Sequence, residues 1–488
     1  MRIGLIDTLD KGGIGNGPNV GIAALSGYLV AHGYEVGILD LFHSQKKEEE
    51  VFFRQPWDLV GISATSFDFD IGLEAAARIK SGSGAPVVFG GAHASVARAE
   101  LLKEPVIDYA VYGEGEIPLT ALADLLEKAP RPAASRLREI NGLIFRDGPD
   151  AVVNPPQPRM TELDSLPPPA YRLFPMDRYS EHQLSTSRGC PYACVYCASG
   201  AVLGKKWVAR SPESLVGEIE FLIRTYGKKP VVFVDDTFNL DVERVKGFCR
   251  LLIERKLGIS WILMAGMRAD RTEPEMLRLM KESGCRDIGV GIESANPTVL
   301  RNVAKGETIE DITKGIQLIR DAGFRVVGSF MIGNPGDTLE TVKESLQYAV
   351  SQKLDQVFVY HALPFPQTRL WEFVEKNGRF LRTDFTNFEK FLEEPVFETP
   401  EFPYADRVKA YELAARALPA FRAAAARDAR RDSPKRGGVG HYVSEFVNET
   451  REHGLSAAVE RTAGFLRKHA ASRQQGIGTR TSNPRSSE

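Results

Sequence analysis

A chain of 488 residues exceeds one typical domain, and each of two or three units of that size can bury its own core. Lys plus Arg number 62 against 64 Asp plus Glu, a net charge of −2, which removes any bulk electrostatic case for nucleic acid or an anionic membrane as partner. Five cysteines, three of them clustered, do not make a disulfide framework and fit a reducing compartment, so a cytoplasmic protein without a leader or membrane span is expected.

Short apolar strands alternate with helical patterns at residues 3–6, 36–39, 59–62, 87–89 and 109–111, which predicts a doubly wound parallel sheet. Ligands of such sheets bind outside the carboxyl ends of the strands. The segments there are 7–19, Ser63 with Thr65, then Gly90, Gly91 and His93, and finally Gly113, Glu114, Gly115 and Glu116. Glycines let the backbone approach a bulky ligand, and the helix start after Asn19 is expected to offer free amides. His93 is open to two roles, a ligand contact or a turn histidine bonded beside the sheet. His43 is expected at the surface. Residues 131–182 read as an ordered Pro-rich linker in which Ile140, Leu143, Ile144 and Phe145 form a hairpin-like strand pair.

Next come Cys190, Cys194 and Cys197, at C-x3-C-x2-C spacing within a Gly, Pro and aromatic setting. A structural zinc site takes four ligands, and the remaining Cys249 and Cys285 are far away in helix-like or strand-edge contexts that suit core packing. Three thiolates on one loop suggest an iron-sulfur cluster with one iron open to a small-molecule ligand.

At these residues, with Tyr196 directly before Cys197, the chain resembles the radical SAM superfamily. The resemblance implies a 4Fe-4S cluster on Cys190, Cys194 and Cys197 that chelates S-adenosylmethionine and cleaves it to a 5'-deoxyadenosyl radical. An external electron donor such as flavodoxin or ferredoxin is implied with it. The Gly-Gly-x-His and Gly-Glu-Gly-Glu loops further resemble the cobalamin-binding domain found fused to such cores. The family's D-x-H-x-x-G motif is absent, because the sequence from Asp7 to Gly12 has no histidine. Cobalamin, if bound, is expected without a protein histidine on cobalt.

Beyond the cluster loop, six strand and helix units at 183–186, 230–234, 259–264, 287–292, 325–332 and 356–361 fit a partial barrel, whose catalytic groups gather at carboxyl ends of strands. Those ends carry Asp235 and Asp236, Arg268, Glu293, Gly333 with Pro335, and Tyr360. By resemblance, Glu293 contacts the ribose or methionine moiety and Arg268 faces its carboxylate, while the Asp235–Asp236 pair replaces the family's commoner G-G-E. The segments around Glu273 and Glu307 read as helix N-caps with acidic first turns.

The expected fold is therefore α/β: a flavodoxin-like doubly wound sheet at 1–130, the linker at 131–182, a partial (β/α)6 TIM-type barrel at 183–380, and a helical C-terminal region at 381–488. Helices over 404–430 and 441–469 are expected to cap the barrel mouth, followed by a polar tail. The expected function is a cobalamin-dependent radical SAM methyltransferase acting on an unactivated carbon or phosphorus of a small molecule. A radical cyclase or rearrangement enzyme is the alternative, and a non-catalytic cobalamin or redox sensor the alternative of another class. A methylthiotransferase needs a second cysteine trio, and nothing before Cys190 is a cysteine.

Overall fold

The computed structural model describes residues 1–8, 16–383 and 394–431. Strands β1 (Arg2–Asp7), β2 (Glu35–Asp40), β3 (Leu59–Ser63), β4 (Val87–Gly90) and β5 (Tyr109–Val111) form where runs of β-branched and apolar residues are buried on both faces. Helices pack between them, and the parallel order β2-β1-β3-β4-β5 brings the carboxyl ends to one edge, with the change of direction beside β1.

The hairpin expected in the linker forms as β6 (Leu143–Asp147) and β7 (Asp150–Val153), but it does not stand alone. Its first strand pairs antiparallel with β5, so the first sheet has seven strands and runs past residue 130. Unpaired edge groups on β5 are the physical reason, since they present a template that an adjacent apolar strand satisfies. The rest of the linker is ordered. Ala170 donates its N–H to Ala23 O at 3.1 Å, and Tyr171, Phe174, Met176 and Tyr179 join a core continuous from the first sheet into the second.

That second sheet comprises β8 (His182–Leu184), β11 (Val231–Phe233), β12 (Trp261–Met267), β13 (Cys285–Glu293), β14 (Arg325–Ile332) and β15 (Gln356–His361). All six are parallel in sequential order, joined by helical crossovers between successive strands, which is the expected partial barrel. A two-stranded ribbon, β9 (Ser187–Arg188) with β10 (Val208–Ala209), brackets the cysteine loop. Cys249 and Cys285 are buried in the core, as their contexts implied.

The helix Tyr404–Arg431 forms. It lies along β15 and the helix Leu339–Ser351, where Tyr411 stacks on His361 at 5.1 Å and Arg407 sits over Phe397. An open barrel leaves the β15 flank uncovered, and an Ala-rich helix can approach it closely. The second C-terminal helix and the tail lie outside the described residues. Among the described residues no helix is long and apolar enough to cross a membrane.

Candidate active site

The cysteine loop leaves β9 through Gly189, whose φ is +84° and where a Cβ would stand 2.4 Å from Lys206 O; only glycine fits this seat. Cys190 N then bonds Gly204 O at 3.3 Å, Val195 N bonds Val303 O at 2.9 Å, and Leu370 N bonds Val195 O at 2.8 Å. The loop is thus tied to three separate elements of the barrel. Thr237 Oγ1 lies 3.1 Å from Cys190 Sγ, and Ser199 N–H points at Cys197 Sγ at 3.4 Å.

All three loop cysteines are free thiols, and burial pushes Cys194 up to about 11, with Lys305 opposing. A thiolate there therefore needs the positive charge of a metal, which is the condition a coordinated cluster meets. Among the described residues no group of three His, Cys, Asp or Glu side chains is spaced for a single metal ion. The donor set fits a cluster that spans the loop.

Glu293 ends β13 at φ +67°, a conformation costing a non-glycine residue about 1–2 kcal/mol and retained mostly where the site requires it. Its carboxylate lies 3.6 Å from Lys305 Nζ, and both side chains are more than nine-tenths buried. Tyr196 and Tyr360 converge on the same carboxylate. Burial, then the Glu293 charge, raises both hydroxyls, Tyr360 to about 12, so both stay neutral donors at physiological pH. Gly291 is a glycine because a Cβ would stand 2.5 Å from Glu293 Oε1 and 2.9 Å from Lys305 Nζ.

Lys305 was not singled out in the sequence, and two strand-end residues that were already have protein partners. Arg268 was expected to face a ligand carboxylate, but its guanidinium is already engaged. It donates to Asp270 at 2.9 and 2.8 Å and to Lys305 O at 2.9 Å, and it lies over the Tyr192 ring at 3.6 Å. Arg268 thereby supports the cysteine loop from below. Asp235 is likewise turned inward, accepting from Thr186 N at 3.0 Å, Thr186 Oγ1 at 2.8 Å and Ser187 Oγ at 2.5 Å, which ties β8 to β11. Asp236 remains at the mouth and accepts from Ser199 Oγ at 2.5 Å.

Glu307, read as part of a cap, is a buried post. It accepts from Ala269 N at 2.9 Å and Asp270 N at 3.2 Å while facing Lys305 at 3.3 Å. Gly333 closes against Arg407, and its N–H bonds Asp337 at 2.9 Å, while Pro335 O accepts from Asn302 at 3.0 Å. These two shape the β14 turn. The signal for Lys305 was readable only as a lysine four residues before a helix start at Ile309, which carries no information without the fold.

A cavity of about 920 Å³, at the upper end of the range of ligand pockets, lies between the two sheets. Ser63, Thr65, Gly90, Gly91, Gly113, Glu114, Gly115 and Glu116 line it from the first sheet. Ser185, Ser187, Arg188 and Val234 line it from the barrel, with linker residues 166–169 along one side. The glycine-rich strand ends make a cradle of backbone, and among the described residues no histidine lines it.

His93 is not in the lining. It is buried against Phe69 with Nδ1 2.9 Å from Ser66 Oγ, and burial pushes it down to about 4. His43 is not a surface residue, being held by Asp40 at 3.0 Å and Asn16 at 2.6 Å against Tyr179. The amides after Asn19 are not free either, because its side chain accepts from Gly21 N at 3.0 Å and Ile22 N at 3.2 Å.

A barrel mouth carrying three thiols beside a buried carboxylate and lysine, with a large cavity between the barrel and the first sheet, marks an α/β protein with two places for ligands. Residues 184–349 match the radical SAM superfamily, and residues 14–123 match the B12 binding domain. An uncharacterised methyltransferase of Pyrococcus horikoshii is 32% identical over 396 residues, covering 79% of this chain and 84% of the relative. The anaerobic magnesium-protoporphyrin IX monomethyl ester cyclase of Rubrivivax gelatinosus is 28% identical over 73% of this chain and 66% of its own.

Among solved structures, the radical SAM methyltransferase TsrM from Kitasatospora setae, with cobalamin and a 4Fe-4S cluster bound, superposes with a TM-score of 0.69. Its identity is 20%, over 95% of this chain and 99% of that one. OxsB, a cobalamin-dependent S-adenosylmethionine radical enzyme, gives 0.66 at 17% identity over 96% and 75%. At these identities the likeness shows the fold. The chain belongs to the radical SAM superfamily, in the branch that carries a B12-binding domain, and it is a radical SAM enzyme.

Proposed function

We propose that the protein is a cobalamin-dependent methyltransferase that replaces a hydrogen on an unactivated carbon, or on phosphorus, of a small molecule by a methyl group. The observation that carries this reading is the single cavity shared by the cofactor-type strand ends and by Arg188, two residues before Cys190. When bound, the cluster supplies the electron that cleaves S-adenosylmethionine to a 5'-deoxyadenosyl radical, and the cobalamin supplies methyl carriage. In balance, one substrate R–H, two S-adenosylmethionine and two electrons yield R–CH3, S-adenosylhomocysteine, methionine and 5'-deoxyadenosine. The electrons come from an external donor of the flavodoxin or ferredoxin class.

Within this reading Lys305 is the cation for the methionine carboxylate and Glu293 the acceptor for ribose hydroxyls or the amino group. Tyr360 and Phe358, whose rings stack at 6.0 Å, are the apolar wall for adenine. Cys190, Cys194 and Cys197 are the cluster ligands. Names of relatives support methyl transfer, among them the cytidylyl-2-hydroxyethylphosphonate methyltransferase of Streptomyces wedmorensis at 26% identity. The cyclase of Rubrivivax gelatinosus favours the second reading, radical cyclisation without net methyl transfer.

Anaerobic turnover with S-adenosylmethionine deuterated in its methyl group separates the two. A product heavier by a labelled methyl supports methyl transfer. Turnover that releases 5'-deoxyadenosine and a product without the label overturns it.

A further inference from the structure

The Gly-Glu-Gly-Glu turn of the first sheet and the strand that enters the cysteine loop are joined by one arginine. Arg188 donates from Nη1 to Glu114 Oε1 at 3.1 Å and from Nη2 to Glu116 Oε1 at 2.7 Å. Both carboxylates are more than nine-tenths buried. Glu114 is further fixed by Met160 N at 3.0 Å and by the Arg159 guanidinium at 3.1 Å. The two acids thus belong to the B12-type sheet, and the arginine to the barrel.

Two further features make this more than an interface contact. All three side chains line the large cavity, so an occupant removes the remaining water from the ion pairs and strengthens them. The connection from Arg188 to Cys190 is also stiff. Arg188 is paired with Val208, Gly189 is wedged against Lys206 O, and Cys190 N is bonded to Gly204 O. A shift of the guanidinium is therefore delivered to the first cluster thiol and is not absorbed by a loose turn.

We infer that Arg188, held by Glu114 and Glu116, is a positioning residue that couples occupancy of the cavity to the iron-sulfur cluster. It rests on the reading that cobalamin fills the cavity and the cluster sits on the cysteine loop. Because such coupling is reciprocal for binding, the cluster must tighten cobalamin by the factor by which cobalamin tightens the cluster.

The test uses full-length protein with and without reconstituted cluster, titrated anaerobically with hydroxocobalamin, alongside the paramagnetic resonance spectrum and midpoint potential of the cluster with and without cobalamin. The parent protein is expected to bind cobalamin on the order of fivefold tighter or more when the cluster is present, with a displaced cluster signal. In Glu116→Gln, which keeps shape and loses charge, both cofactors still bind, the difference falls to about twofold or less, and the signal displacement shrinks. The charge-swapped pair Glu116→Arg with Arg188→Glu restores part of the coupling, which a merely structural role would not.

Coupling at the parent level in Glu116→Gln overturns the inference, as does a parent protein in which both cofactors bind without influencing each other. If Glu116→Gln loses one cofactor outright, Glu114→Gln makes the same comparison from the other arm of the arginine, with the same two outcomes. A parent protein that binds no cobalamin or assembles no cluster refutes the underlying reading instead, a distinct result.

Discussion

Replacement of Lys305 by Met tests which cation serves the barrel mouth. Lys305 Nζ lies 3.6 Å from Glu293 and 3.3 Å from Glu307, with all three side chains at most 9% exposed. At an effective dielectric of about 20 each contact is worth roughly 4–5 kcal/mol before desolvation, and removing one partner of a buried pair costs about 3–5 kcal/mol net. Arg268, 3.8 Å from Glu307, remains as partner to that carboxylate, so a loss of about 3 kcal/mol of stability is expected.

The functional effect is separable from this. On the role proposed for Lys305, losing a charged donor to the methionine carboxylate removes about 1.5–3 kcal/mol, or roughly ten- to 150-fold in S-adenosylmethionine affinity. The assay is anaerobic titration of the reconstituted protein, with 5'-deoxyadenosine release measured beside thermal unfolding. Lys305→Arg should recover part of the affinity. Arg268→Met should lower stability through the lost Tyr192 stacking while leaving affinity within about threefold, because its guanidinium is turned to Asp270, Lys305 O and the Tyr192 ring and not to Glu293. If Lys305→Met binds S-adenosylmethionine like the parent and Arg268→Met does not, Arg268 and not Lys305 is the cation that serves the barrel mouth.

Alanine at Cys190, Cys194 or Cys197 should each abolish the cluster in iron and sulfide quantitation, whereas Cys249→Ala and Cys285→Ala, whose thiols are core atoms, should keep it; cluster loss in a distal variant refutes the assignment. The cob(II)alamin spectrum should show no histidine nitrogen coupling and should be unchanged in His43→Ala, since His43 is engaged by Asp40 and Asn16 away from the cavity. His93, with its folded value depressed from 6.5 to about 4, contributes stability that is fully present above 6.5 and lost as pH falls towards 4. That shift corresponds to about 3 kcal/mol, and denaturant unfolding across the window should show the slope in the parent protein and a flatter one in His93→Asn.

What the sequence determined alone was periodic or local. Strand positions followed from apolar runs flanked by turn residues, and the predicted 325–332 and 356–361 coincide with β14 and β15 because buried parallel strands leave a continuous apolar signature. The cysteine loop was legible because its three thiols lie within eight residues of one another. Membership in the superfamily followed from that loop, and the glycine-rich strand ends were expected at a cavity they do line.

The tertiary structure alone decided which charged side chains face inward, where they point, and with whom they pair. Asp235 and Arg268 stand at strand ends as catalytic groups do, yet the first is spent on Thr186 and Ser187 and the second on Asp270 and Tyr192. Lys305 reaches Glu293 across a helix and a left-handed turn, and Arg188 reaches Glu114 and Glu116 across 74 and 72 residues. Pairings at such separations leave no periodic trace in the chain. They arise because a buried charge must find a partner, and only the packed fold determines which one is within reach.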